Sequence, residues 1–243
     1  MNIIKLDAIG STNVYLKNLL ANLNLENFTV VVAENQTAGK GQRGAVWNSE
    51  PSSNLTFSVL VKDLLLGIES IYDLNVAVSL SVFNAIKILG IGGLSIKWPN
   101  DILADNKKVG GILIENIIKS NGEIFSVVGI GINVNQKIFG DLSQASSLAN
   151  MAGKDFDKEI LMNSVLKQLR YYFNSLRNGH KKAIWQEYHN NLYRISTPSA
   201  FELPSGERFM GIIQNVSQQG TLVVLLESGN TVEYYIKEVK ILY

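Results

Sequence analysis

The sequence predicts an α+β protein: a mixed, mainly antiparallel sheet with flanking helices, followed by a small all-β unit. Three observations carry this reading. Strand-like and helix-like periods alternate over roughly the first third of the chain; residues 95–135 form a run of apolar segments cut by short turn clusters; and the stretch after Pro198 contains only strands and turns. With 243 residues and 46% hydrophobic side chains, the chain can bury one sizeable core plus a small second domain.

The elements follow in order. Residues 2–9 read as a strand, after which Ser11 or Thr12 stands at the N-cap of a helix carrying Val14, Leu16, Leu19, Leu20 and Leu23. Strands are expected at 28–34 and 55–61, then a helix over 73–89 whose Val78, Val82, Ile86 and Leu89 recur at helical spacing. SIKW, ILAD, VGGILIENIIK and EIFSVVGIGINVN, separated by WPND, DNKK and SNGE, read as a meander of hairpins, with the helices on one side of the sheet. DFDKEILMNSVLKQLRYYFNSLRNG is a helix of about six turns, with Ile160, Leu161, Val165, Leu166, Leu169 and Phe173 inward. Gly179 separates it from a second helix over HKKAIWQEYHNNLY. The strands after Pro198 suffice for a small closed barrel packed on the larger unit, which gives domains of 1–194 and 195–243.

Composition removes several function classes. A net charge of +1, with only the lysine pairs 107–108 and 181–182, provides no basic footprint for nucleic acid. The absence of cysteine excludes disulfides and thiolate chemistry, and His180 and His189, nine positions apart, are poorly spaced for a metal site on one helix. The N-terminal MNIIKLDAIG is too short in its apolar part for a signal peptide and no run has the length of a membrane span, so a cytoplasmic location without a membrane partner is expected.

The segment NQTAGKGQRGAVW, residues 35–47, matches G-x-G-x-x-G at Gly39, Gly41 and Gly44. That fingerprint requires a helix after the third glycine. AVWNSEPSSN follows instead, and then the strand-like LTFSVLV. A Walker phosphate loop fails as well, because Ala45 and Val46 stand where Lys and Ser or Thr are needed. What remains is a flexible loop whose glycines let backbone approach a ligand and whose Lys40, Gln42 and Arg43 supply donors and charge to an anion.

Four polar clusters interrupt the apolar framework: Ser11-Thr12-Asn13, the loop from Gln36 to Trp47, Lys97-Trp98-Pro99-Asn100-Asp101, and Lys107-Lys108 followed by Val109-Gly110-Gly111. Each has an ordinary use: a helix cap, a surface loop, a turn or an exposed hairpin, while Gly129, Gly131 and Asn133 are compatible with strand bulges. Taken together and in this order, they resemble the catalytic domain of biotin protein ligases. The residues carrying the resemblance are Ser11-Thr12-Asn13, GKGQRG with Gln36 before and Trp47 after, KWPND, KKVGGIL and GIGINV; GIIQNVSQQGTLVV and EVKIL extend it into the terminal unit.

The resemblance implies a class II synthetase-like fold with a small SH3-like barrel. It also implies an enzyme that adenylates biotin with ATP and Mg²⁺, then transfers it to a lysine of a biotin carboxyl carrier protein. By the same resemblance Lys108 bridges the biotin carboxylate and the α-phosphate and is catalytic with Lys40 and Arg43. Biotin is expected on Ser11, Thr12, Asn13, Gln36, Gly39, Lys40, Gly41, Gln42, Lys108, Gly111, Gly129 and Gly131. ATP is expected on Lys40, Arg43, Trp47, Lys97, Asn100, Lys108 and Asn133, with Asp101 as the metal carboxylate. The cyclic urea of biotin has one carbonyl acceptor and two N–H donors, which Ser11 or Thr12 and Asn13 or Gln36 complement. Family members often carry arginine where this chain has Lys40 or Gln42, and lysine lacks the planar two-point contact of guanidinium. Because the strand and Ser-Thr-Asn come almost at once, a ligase that is not a DNA-binding repressor is expected. A lipoate ligase or octanoyltransferase of the same superfamily, and a non-catalytic protein-binding adaptor, are the competing readings; a homodimer stays open.

Overall fold

The computed structural model describes residues 2–62, 64 and 70–242, without the side chain of Arg43. Seven strands form the main sheet: β1 (Ile3–Ile9), β2 (Val30–Gln36), β3 (Leu55–Val61), β4 (Leu94–Lys97), β5 (Asp101–Ala104), β6 (Lys107–Ile118) and β7 (Ile124–Ile132), in the order β1-β2-β3-β7-β6-β5-β4. The β1–β2 pair is parallel, as the intervening helix α1 (Thr12–Asn22) requires, and the other pairs are antiparallel. The remaining helices are α2 (Ile71–Lys87), α3 (Leu148–Ala152), α4 (Lys158–Arg177) and α5 (Lys181–Asn190).

The expectation that all helices share one side of the sheet is corrected. Alternate strand residues belong to two separate cores. Val30, Phe57, Val59, Val128 and Ile130 pack with α2 and α4, whereas Val31, Leu60 and Val127 pack with Leu16 and Leu20 of α1 on the opposite face. Helix α2 is apolar nearly all round because it is sandwiched, sheet on one flank and α4 and α5 on the other. Asp157 caps α4 by accepting from the amides of Glu159 and Ile160. Ile160, expected inward, is 64% exposed: the buried stripe runs through Leu161, Val165, Leu169 and Phe173, about 100° round the helix from it.

The terminal strands β8 (Pro198–Glu202), β9 (Arg208–Val216), β10 (Leu222–Leu226), β11 (Thr231–Tyr234) and β12 (Lys240–Ile241) form a second antiparallel sheet in the order β11-β10-β9-β8-β12. It is not the closed barrel expected. Among the described residues no ladder joins β11 to β12, and β12 has only two residues with which to make one. The sheet docks through the turn before β10: Trp98 Nε1 donates to Gly220 O at 3.0 Å, and a side chain at Gly220 would run into the Tyr72 ring on α2.

Candidate active site

Strand register lays out the site. Directly paired residues point to the same face, so Lys97, Asp101, Gly111, Gly131 and Thr56 form one row across β4, β5, β6, β7 and β3, on the α1 side. Leu113, Gly129 and Ser58 form the next row, and Glu115, Val127 and Leu60 the third. The body of α1 covers the third row through Leu16 and Leu20. Its N-terminus ends above the second, leaving the first row free of the helix. There a cavity of about 560 Å³ opens, within the range typical of small-ligand sites.

Glycines make the cavity floor. A methyl group on Gly129 would overlap the Asn13 amide, and one on Gly131 would lie 2.6 Å from the Trp47 ring. Trp47 closes a hairpin-like loop. Its N–H bonds Gly39 O at 3.0 Å, Lys40 bridges Val46, the Gly41 N–H bonds Ala45 O at 2.7 Å, and a single 3₁₀ turn, Gln42–Gly44, forms the tip. The ring lies over Gly111 and Gly131, its indole N–H buried with no partner among the described residues.

Of the residues singled out from sequence, Ser11, Thr12, Asn13, Gln36, Lys40, Gly41, Gln42, Trp47, Lys97, Asn100, Asp101, Lys108, Gly111, Gly129 and Gly131 line this one cavity. Gly39 lies at the loop base, against the Trp47 carbonyl. Asn133 lines a smaller adjoining cavity of about 230 Å³ with Phe139, Leu142 and Ala145, where its amide donates to Ser146 O at 3.0 Å. The Arg43 side chain lies outside the described residues.

Lys108 reaches the cavity through a defect in the strand. In an unbroken strand, positions 108 and 111 would face opposite ways. Leu103 pairs Lys108 while Ile102 pairs Gly110, so Val109 is an extra residue that turns into the α2 core, and Lys108 joins Gly111 on the open face. Its amine bonds Asp101 Oδ1 at 2.6 Å, stands 5.7 Å from the Trp47 ring centre, and lines both cavities. Neighbouring Lys97 has its pKa lowered to about 8, chiefly by burial and also by the charges of Lys108 and Lys240, against an opposing pull from Asp101.

At the far end the hydroxyls and amides interlock. Ser11 occupies the N-cap of α1, yet its side chain caps no amide and faces the cavity. Gln36 Oε1 accepts from the Thr12 N–H at 2.8 Å and from Thr12 Oγ1 at 3.1 Å. Ser58 Oγ lies 2.7 Å from Thr12 Oγ1 and 2.6 Å from Asn13 Oδ1, while Asn13 Nδ2 donates to Glu115 Oε2 at 2.9 Å. Ser58 and Glu115 were not singled out from sequence; their alternation with strand neighbours is the only local signal, and pairing across strands is what reveals them. The terminal sheet supplies a wall that sequence reading also missed, including Leu203, Ile236, Lys237 and Lys240.

The donor set can neutralise a polyphosphate: Lys40, Lys97, Lys108, Lys237 and Lys240 line the cavity against Asp101 and Glu202. Among the described residues no three His, Cys, Asp or Glu side chains converge as a metal cage. Asp101 is the type of single carboxylate that Mg²⁺ shares with phosphate oxygens, so the residues fit an ion arriving with a nucleotide.

Residues 6–135 match the biotin/lipoate A/B protein ligase family. The chain is 30% identical over 236 residues to the bifunctional ligase/repressor BirA of Bacillus spizizenii, covering 94% of this chain and 70% of that one. It is 28% identical over 216 residues to the biotin–[acetyl-CoA-carboxylase] ligase of Mycobacterium tuberculosis, covering 88% and 79% respectively. The biotin protein ligase of Aquifex aeolicus in complex with biotin and ATP superposes with a TM-score of 0.81 at 28% identity, over 99% of this chain and 98% of that one. Among the described residues no helix is long and apolar enough to cross a membrane.

Proposed function

Because the chain belongs to the biotin/lipoate A/B protein ligase family, we propose that it is an ATP-dependent biotin–protein ligase. In the first step a biotin carboxylate oxygen attacks the α-phosphorus of ATP, and pyrophosphate leaves with the electrons of the broken phosphoanhydride bond. In the second, a lysine amine of a biotin carboxyl carrier protein attacks the activated carbonyl and AMP leaves.

One observation supports this reading above the others: Lys108 stands on the boundary between the two cavities, where it lines both. In this reading its amine holds the carboxylate against the α-phosphate. Bringing two anions together requires fixed cations, and such donors act most strongly where water is excluded. Lys97 and Lys40 add to the cationic wall, and Mg²⁺ held by Asp101 and the phosphates would supply further charge neutralisation. The space between the Trp47 ring and the Ser11-to-Gln36 network accepts the bicyclic ring, and that network its urea. The smaller cavity, with apolar Phe139 and Leu142 beside Asn133, accepts the nucleoside. The buried unpartnered Trp47 N–H is available to a ligand acceptor.

ATP–pyrophosphate exchange tests the assignment. Exchange is expected with biotin and not with lipoate. Exchange with lipoate alone moves the chain to the sister activity, and exchange with neither, alongside carrier binding that survives Lys108→Ala, supports a non-catalytic adaptor.

A further inference from the structure

Glu115 lies outside the ligand wall, beneath α1, yet it accepts from the Asn13 amide at the end assigned to the cyclic urea. A carboxylate only accepts. With Glu115 Oε2 at 2.9 Å and Leu113 O at 3.3 Å, the Asn13 NH₂ has two acceptors on one side, so its carbonyl oxygen must turn towards Ser58. The absent side chain at Gly129 leaves room for that orientation. Ser58 has one proton, with Asn13 Oδ1 and Thr12 Oγ1 both within reach, while the proton of Thr12 goes to Gln36 Oε1. Four oxygens, Asn13 Oδ1, Ser58 Oγ, Thr12 Oγ1 and Gln36 Oε1, therefore share two hydroxyl protons and the Thr12 amide. The surplus is of acceptor lone pairs, the complement of a ligand presenting N–H groups.

We propose that Glu115 is a positioning residue which, through Asn13 and Ser58, sets this end of the cavity as hydrogen-bond accepting and so selects ligands whose ring carries N–H donors. The inference rests on the biotin assignment above and adds a determinant behind the wall. Glu115 is kept ionised for the purpose. Partial burial pushes its carboxyl up, but hydrogen bonds from Lys17 and Asn13 and the charges of Lys17 and Lys40 more than offset this, and the net shift is downward. Lys17 Nζ sits 2.6 Å from Oε1 and leaves Oε2 for Asn13.

Glu115→Gln is nearly isosteric but carries both donor and acceptor, which frees the Asn13 amide to flip. The KM for biotin in ATP–pyrophosphate exchange is expected to rise about tenfold, the equivalent of one hydrogen bond. KM for ATP and kcat at saturating biotin should stay within about twofold, since the nucleotide end is untouched. Discrimination between biotin and a ring N-methylated biotin, which lacks one N–H donor, should narrow in the variant. Ser58→Ala should raise the biotin KM similarly, and the double variant should fall short of the product of the two, because both act through one amide. Lys17→Met keeps the carboxylate and should leave the biotin KM within about threefold at pH 8.

An unchanged biotin KM in Glu115→Gln, or equal losses for biotin and ATP, overturns the inference. Should that variant fail to fold, Ser58→Ala with the analogue ratio decides alone, an unchanged ratio refuting it. Absence of biotin-dependent exchange in the unaltered chain instead removes the functional assignment, so the two failures are distinguishable.

Discussion

Gly131→Ala isolates the floor of the cavity from the stability of the sheet. Gly131 sits inside β7, where its backbone is ordinary and alanine removes freedom from the unfolded chain, so the fold should hold or gain a few tenths of a kcal/mol. Above the floor the outcome differs. The new methyl would stand 2.6 Å from Cε2 and Cζ2 of Trp47, about 1 Å inside a comfortable carbon–carbon contact. The ring cannot slide freely, because the Trp47 amide is tied to Gly39 O and Lys40 to Val46. Overpacking of this kind costs about 1–3 kcal/mol, charged here to the closed loop and to any ring seated on the same floor. Biotin-dependent ATP–pyrophosphate exchange, read as kcat/KM, should therefore drop by a factor of about 5 to 150, with the melting temperature level or slightly raised. Limited proteolysis should find the 39–47 loop cut faster. Full exchange activity with an unaltered loop cleavage rate would show that neither ring nor ligand uses this surface, and the reasoning would fall.

Other perturbations follow from the same geometry. Lys108→Met should lower exchange by a factor of about 10²–10³, the usual effect of losing one preorganised charge at a reacting group; steady-state exchange at saturating substrates reads this, and activity within threefold of the unaltered protein would refute it. The proposed role of Lys97 is that of a cation meeting phosphate, so kcat/KM for ATP should fall as pH rises through about 8, by about tenfold between pH 7 and pH 9. Lys97→Arg, always charged, should erase that limb. The stability effect runs the other way: the unfolded lysine holds its proton up to about 10.5, so the folded state gains stability with pH across this window, visible in chemical denaturation. Gly220→Ala joins a left-handed backbone, φ +87°, to a collision with Tyr72; a loss of roughly 2–4 kcal/mol is expected by denaturant titration.

Periodicity made most of the fold legible. Strands and long helices carry their two- or 3.6-residue repeats over enough positions to be placed within a few residues, and the crossover through α1 follows from a short strand–helix–strand run. Which face α1 covers was not legible, since β2 and β3 are apolar on both faces and β3 is buried throughout. The short helix α3 passed unnoticed because five residues do not establish a period. At the site, the polar clusters stood out because they break an apolar frame. Ser58 and Glu115 did not, because they come into register only when β3, β6 and β7 align. The bulge at Val109, which decides the direction of Lys108, leaves no mark in a one-dimensional pattern.

Lys237 and Lys240 give the terminal sheet a share in the pocket, and that share has a thermodynamic side. A ligand gripped by both units makes their unfolding a joint event: at a hundredfold excess over Kd it adds about 2.7 kcal/mol to the intact chain, and separation of the halves forfeits that gain. Removing the terminal sheet would strip Lys237 and Lys240 from the pocket, so a shortened chain should hold its cargo less firmly and gain less heat resistance from it.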